Sequence, residues 1–138
     1  MEKIKFDFKK FEKTNVKSED RITITSIRSF GFPTKFYQDN KLKTYKYVVI
    51  YFDEKNKGVG FYFTNDEQEK HKFSLIKSKQ GYGGSVVATS FFKTYNLDPQ
   101  KYRGKYKWVK KIIPNIGKLF IINLKDKLEE KTKKKKIG

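Results

Sequence analysis

The chain has 138 residues, 36% hydrophobic and 17% aromatic, the size of one domain with enough apolar material for its own core. It has no cysteine, which excludes disulfides and thiolate metal sites and fits an intracellular, cytoplasmic protein. A net charge of +18, from 33 basic and 15 acidic residues, predicts a polyanionic partner. Only Arg21, Arg28 and Arg103 are arginines, so the charge is almost entirely lysine, which neutralises phosphate but lacks the planar fork that reads guanine edges.

Residues 1–20 open with "MEKIKFDFKKFEK", where charges interrupt every apolar residue, and read as an N-terminal arm without a signal peptide's apolar run. No later segment reaches the roughly 20 apolar residues of a membrane span, so no membrane partner is expected. "RITITSI" follows, a strand alternating Ile22, Ile24 and the next apolar residue, Ile27. "FPTKFYQDNKL" is a short helix with Pro33 near its first turn. "YKYVVIYF" and "GVGFYF" are β-branched and aromatic strands around "DEKNKG", whose Asn56, Lys57 and Gly58 make a hairpin turn.

Charge changes sign along the second half. Residues 65–70, "NDEQEK", sum to −2, whereas residues 71–113 hold ten basic residues against the single acid Asp98. "KSKQGYGGS", residues 77–85, lacks the Lys-Ser or Lys-Thr spacing of a phosphate loop and reads as a basic loop with Lys77, Lys79 and the ring of Tyr82, either a finger beside a groove or a long hairpin turn. "ATSFFKTYNLDP" is a second short helix, with Thr89 or Ser90 as N-cap, ending before Pro99. In "KYRGKYKWVKK", residues 101–111, period two puts Lys101, Arg103, Lys105 and Lys107 on one side and Tyr102, Gly104, Tyr106 and Trp108 on the other. Tyr106 and Trp108 are expected in the core and the basic side toward phosphate, with Lys110 and Lys111 extending it and Tyr102 open to base stacking. Residues 125–138, with "KTKKKK", read as a basic, disordered tail adding salt-sensitive affinity.

The two helical segments align: Pro33, Thr34, Lys35, Phe36, Tyr37 and Leu42 fall opposite Ala88, Thr89, Ser90, Phe91, Phe92 and Leu97. "YKYV", with Lys46, then matches "YKWV", with Lys107, and "NKGVGFYF" matches "NIGKLFII". Two copies of strand, strand, short helix, strand, strand follow, at about 21–64 and 72–124, in one domain spanning 21–124. The expected class is α+β, mainly β: internally duplicated ββαββ units forming a pseudo-twofold β-barrel or bent antiparallel sheet with two short helices, as a monomer or a homodimer.

The stretch "SFGFPTKFYQDNKLKTYKYVVIYFDEKNKGVGFYF" resembles the AbrB or SpoVT type of swapped-hairpin DNA-binding module, over about residues 22–63 and more faintly 74–122. The resemblance implies two interlocked hairpin units and basic residues beside the short helices facing DNA, with Arg28 and Lys35 at the matching positions. Residues 45–97 also fit the strand order of coactivator-like and whirly folds, which present a curved sheet to single-stranded DNA.

Catalysis finds little material, since His71 is the only histidine and Asp53, Glu54, Asp66, Glu67 and Glu69 sit where carboxylates solvate turns. No cofactor and no metal are expected. The sequence therefore predicts a non-enzymatic nucleic-acid-binding protein, DNA ahead of RNA and duplex DNA first. The alternatives are single-stranded DNA or RNA on a curved sheet, and a protein-interaction module with an acidic partner.

Overall fold

The computed structural model describes Phe8 and residues 20–128; the predicted arm is outside it apart from Phe8 and Asp20, and so is the tail beyond Leu128. In chain order the elements are β1 (Ile22–Ile24), β2 (Ser29–Phe32), α1 (Thr34–Asp39), a 3-10 turn (Leu42–Thr44), β3 (Tyr47–Asp53), β4 (Gly58–Thr64), β5 (Phe73–Ser74), β6 (Ile76–Lys77), β7 (Gly84–Val87), α2 (Thr89–Thr94), α3 (Pro99–Tyr102), β8 (Gly104–Ile113) and β9 (Gly117–Lys127). The chain is mainly β, as its alternating β-branched and aromatic runs dictate.

All nine strands join one antiparallel sheet in the order β5-β3-β4-β9-β8-β1-β2-β7-β6. Its two end strands are neighbours in the chain, separated by Leu75 alone. Phe73 and Ser74 pair with Val48 and Tyr47 on β3, while Ile76 and Lys77 pair with Ser85 and Gly84 on β7. Leu75, at the crossover, donates its N–H to the Lys46 carbonyl at 2.9 Å and buries its side chain in the core. One five-residue segment thus bridges both edges of the sheet and nearly closes it into a barrel, so these edges are not left as unpaired donors and acceptors.

The interior is filled mainly by phenylalanine. Phe30 packs edge-on to Phe61 at 4.8 Å between centroids and lies 5.3 Å from Phe92; Phe32 meets Phe61 at 5.3 Å and Phe63 at 5.2 Å. β2 and β7 are antiparallel and each runs directly into a helix, so the helices emerge at opposite ends. Phe36 of α1 meets Trp108 and Phe120, both at 5.0 Å, and Phe91 of α2 meets Phe52 at 5.2 Å. Six residues are too few for a helix to persist alone. Neither N-cap residue, Pro33 or Ala88, makes a side-chain cap bond, so these rings hold the helices in place.

Local expectations are corrected at four places. Ala88 stands at the N-cap instead of Thr89 or Ser90. β1 stops at Ile24, and Ile27 lies in the following turn, 70% exposed. Lys101 and Tyr102 are helical, because the Asp98 side chain accepts from the Gln100 N–H at 2.9 Å and Pro99 occupies the first helical position. β9 continues to Lys127, so residues 125–127, assigned to the tail by sequence, belong to the sheet. Tyr106 and Trp108 pack inward as expected, but Tyr47, aligned with Trp108, faces outward and donates its hydroxyl to Glu67 at 2.7 Å.

Phe30 is fully buried and touches three other phenylalanines, so Phe30→Ala is expected to cost about 3–5 kcal/mol in a urea or thermal unfolding titration. Tyr82→Ala, at a ring 64% exposed, is expected to stay within about 0.5 kcal/mol of wild type.

Candidate nucleic-acid interface

Three groups of basic residues matter for an anionic partner. One gathers where α3 meets β8. Lys105 and Lys107 are exposed on β8 between the inward-facing Gly104, Tyr106 and Trp108. Lys101 and Arg103 flank them from α3 and its exit, so the expected four-residue strand ladder is half strand and half helix end. Lys127, which sequence reasoning placed in the tail, completes the group by donating its ammonium to the Lys101 and Arg103 carbonyls at 2.9 and 3.1 Å. Gly104 makes that approach possible: at φ 145°, a Cβ there would lie 2.6 Å from Lys127 Cδ. None of these five cations forms an ion pair with a described residue.

Nearby carboxylates are mostly spoken for. Asp98 caps α3, and Asp20 accepts from the Trp108 indole N–H at 3.3 Å; Asp126 is exposed beside Lys127. Lys101 lies over the Tyr102 ring at 5.2 Å, and that ring also packs on the core, so Tyr102 is not a free stacking platform.

In a second group, two lysines are neutralised: Lys46 pairs with Glu67 at 3.3 Å and Lys35 with Asp39 at 2.8 Å. Lys77 keeps its charge and donates its ammonium to the Lys43 carbonyl at 2.9 Å. Glu67 is held below the usual carboxylate range by the Tyr47 hydroxyl and then by Lys46, and Asp39 raises Lys35. Arg28 and Lys35, the positions the swapped-hairpin resemblance aligns with a DNA-facing region, sit beyond opposite ends of β2 and form no common site. Arg28 occupies the turn before β2 at φ 62°, its carbonyl accepting from the Ala88 N–H.

Lys110 and Lys111 make the third group, exposed on the outer half of the β8–β9 hairpin opposite Phe120 and Leu119. They are separated from Lys105 by the irregularity between Tyr106 and Trp108.

Beside the first group lies a surface no sequence motif marked. Ile22, Ile24, Phe30, Phe32 and Val86 point inward, so the residues alternating with them face out. The register aligns Lys105, Thr23, Gly31, Ser85 and Ile76 in one row across β8, β1, β2, β7 and β6. The middle of the row is small, and a shallow trough of about 350 Å³ lies over it, reaching from Thr23 to Tyr82. Gly31 keeps the row flat, since a Cβ there would come 2.5 Å from Thr23 Oγ1 and force that hydroxyl to move. At the trough's far side the turn from Ser78 to Gly83 carries Lys79 and Tyr82. The turn is tied down: Ser78 Oγ accepts from the Tyr82 N–H at 2.7 Å, and the Thr34 hydroxyl donates to the Tyr82 carbonyl. "KSKQGYGGS" is therefore the β6–β7 hairpin turn, with the Tyr82 ring standing out from it.

The acids perform turn chemistry. Asp53 accepts from the Asn56 N–H and side-chain amide at 3.1 and 2.9 Å, which lowers its pKa, and Asp66 accepts from the Gln68 N–H at 2.9 Å. His71 is exposed at φ 60°. Among the described residues no three His, Asp or Glu side chains gather as a metal site, and no helix is long and apolar enough to cross a membrane.

No family model, no curated protein and no solved structure matches the chain.

The Tyr106 phenol anchors the basic group from within, donating to the Tyr102 carbonyl at 2.5 Å. Burial, and then Tyr102, push its pKa up to about 12. The folded state thus holds this proton more tightly than the unfolded chain, whose tyrosines titrate near about 10. Its contribution to stability is full below that value and is lost as pH rises through about 12. A tyrosinate absorbance titration is expected to show the Tyr106 phenol ionising last, after Tyr47 and Tyr51, which are also raised, and Tyr106→Phe removes that last step.

Proposed function

We propose that this protein binds nucleic acid through its phosphate backbone, using the cations where α3 meets β8, and that it performs no catalysis. The observation that carries the reading is that Lys101, Arg103, Lys105 and Lys107 gather where α3 meets β8 with no ion pair among the described residues, whereas Lys35 and Lys46 each pair with a carboxylate. Like charges held together repel, and a bound polyanion relieves the repulsion while releasing counterions. Lysine on a sheet suits this task because phosphate contacts need charge and position, not base-reading geometry.

The chain is further read as two ββαββ copies about a pseudo-twofold axis. Its support is the pairing order: exchanging β1 with β5 and β6, β2 with β7, β3 with β8 and β4 with β9 leaves the sheet order unchanged around the barrel. On this alignment the second copy carries six extra residues, roughly 98–103, between its helix and its third strand, and α3, which displaces Lys101 from the strand, falls there.

Affinity for any polynucleotide is expected to fall linearly with the logarithm of salt concentration. Lys105→Glu combined with Lys107→Glu should weaken binding and flatten that slope by roughly one unit per lysine, with the unfolding midpoint retained. Fluorescence anisotropy at several salt concentrations is the measurement. A slope that the double variant leaves unchanged moves the contact elsewhere, and a wild-type protein that binds no polynucleotide removes the reading.

A further inference from the structure

We propose that the trough across β1, β2 and β7 is a binding site for an unpaired stretch of nucleic acid, with a base stacked on Tyr82 and the backbone leading to Lys105. The inference rests on the nucleic-acid reading above and adds strandedness to it.

Three independent features converge. The first is the floor. Thr23, Gly31 and Ser85 stand side by side on three adjacent strands, and none has a side chain large enough to hold a polymer off the sheet. From Lys105 to Ile76 the row crosses four strand spacings, roughly 19 Å, enough for a few extended nucleotides. The second is the platform. The Tyr82 ring is 64% exposed, and its backbone is fixed to Ser78 and Thr34, so the ring projects from an anchored turn. Every base has a π-face for such a ring, but a base inside a duplex has both faces covered by its neighbours. The third is charge. Lys105 ends the row on one side and Lys79 lies on the turn at the other, so a strand crossing the floor meets a cation at each end.

Duplex DNA fits this surface poorly. Its stacked bases offer Tyr82 nothing to stack on, and the helices among the described residues, at most six residues long, are too short to lie along a major groove. The exposed side chains of Ile76 and Val87, both 49% exposed, border the small floor and give further apolar surface to unpaired bases.

The test compares wild type, Tyr82→Ala, Tyr82→Phe and Ser85→Trp, all checked for an unchanged unfolding midpoint. Each is titrated by anisotropy against labelled oligothymidine and against a labelled mixed-sequence duplex of equal length, at several salt concentrations. Wild type is expected to prefer the single strand. Tyr82→Ala should weaken single-strand binding about tenfold or more without altering its salt slope, because the ring contributes stacking and no charge. Tyr82→Phe should retain binding, and Ser85→Trp, which fills the floor, should lose it if still folded. Ultraviolet cross-linking of a bromodeoxyuridine oligonucleotide gives a readout independent of affinity, with Tyr82 as the expected adduct. Single-strand binding that Tyr82→Ala leaves untouched, with cross-links elsewhere, overturns the trough while leaving the backbone reading intact if Lys105→Glu still flattens the salt slope. Equal losses on both ligands, or a wild-type preference for duplex, also overturn it. Failure of wild type to bind either polymer defeats the nucleic-acid reading itself.

Discussion

Closure by residues 73–77 is the constraint on which the other features depend. A sheet of this curvature has two edges, and here one short segment satisfies both by dividing its pairing between β3 and β7. Leu75 fixes where the division falls, because its side chain belongs to the core while its N–H reaches the Lys46 carbonyl. A slip of one residue would turn Leu75 outward and put Ser74 or Ile76 in its place. Closure also fixes the helices, since a nearly closed barrel leaves only its ends open, and Phe36 and Phe91 fill them from opposite directions.

An aromatic interior has a consequence for the surface. Large rings alternate with small residues along β2, so inward bulk at Phe30 and Phe32 is matched on the outer face by Gly31. On β7 and β1, Val86, Ile22 and Ile24 are matched by Ser85 and Thr23. The packed core and the bare floor are thus two faces of one pattern. Opposite charges are handled differently around the barrel: the carboxylates of Asp53 and Glu67 are spent on turn and lysine contacts near β3, whereas the β8 cations have no such partners among the described residues.

Much of this was legible in the sequence, and the failures have physical causes. Strands β3 and β4, their turn, the two six-residue helices and the inward Tyr106 and Trp108 follow from local alternation and breaker residues. The mainly β barrel-like sheet followed from counting such segments. The start of β8 was misplaced because period two was carried back through Lys101, where Asp98 and Pro99 instead begin a helix whose capping outweighs strand propensity. Lys127 was missed because a charged residue near a lysine run looks like tail, and only the pairing of β9 with β8 reveals it as strand. The trough left no local signal at all: Thr23, Gly31 and Ser85 are far apart in sequence and individually ordinary, and only register brings them together.

Register also separates two sources of affinity that composition alone merges. A net charge of +18 says that polyanions are attracted but not which ones. On the proposed reading the β8 cations would act on any phosphate chain and lose strength with salt, contributing affinity without strandedness. An exposed ring over a small-residue floor acts through stacking, which salt screens little, and it favours a polymer whose bases are accessible. Because Lys105 stands at one end of the same cross-strand row that reaches the trough, a strand held by the proposed cation site would have its bases within reach of that floor. If the proposed binding holds, discrimination between polynucleotides would depend on the uncharged part of the surface, and the lysines would set how strongly salt modulates it.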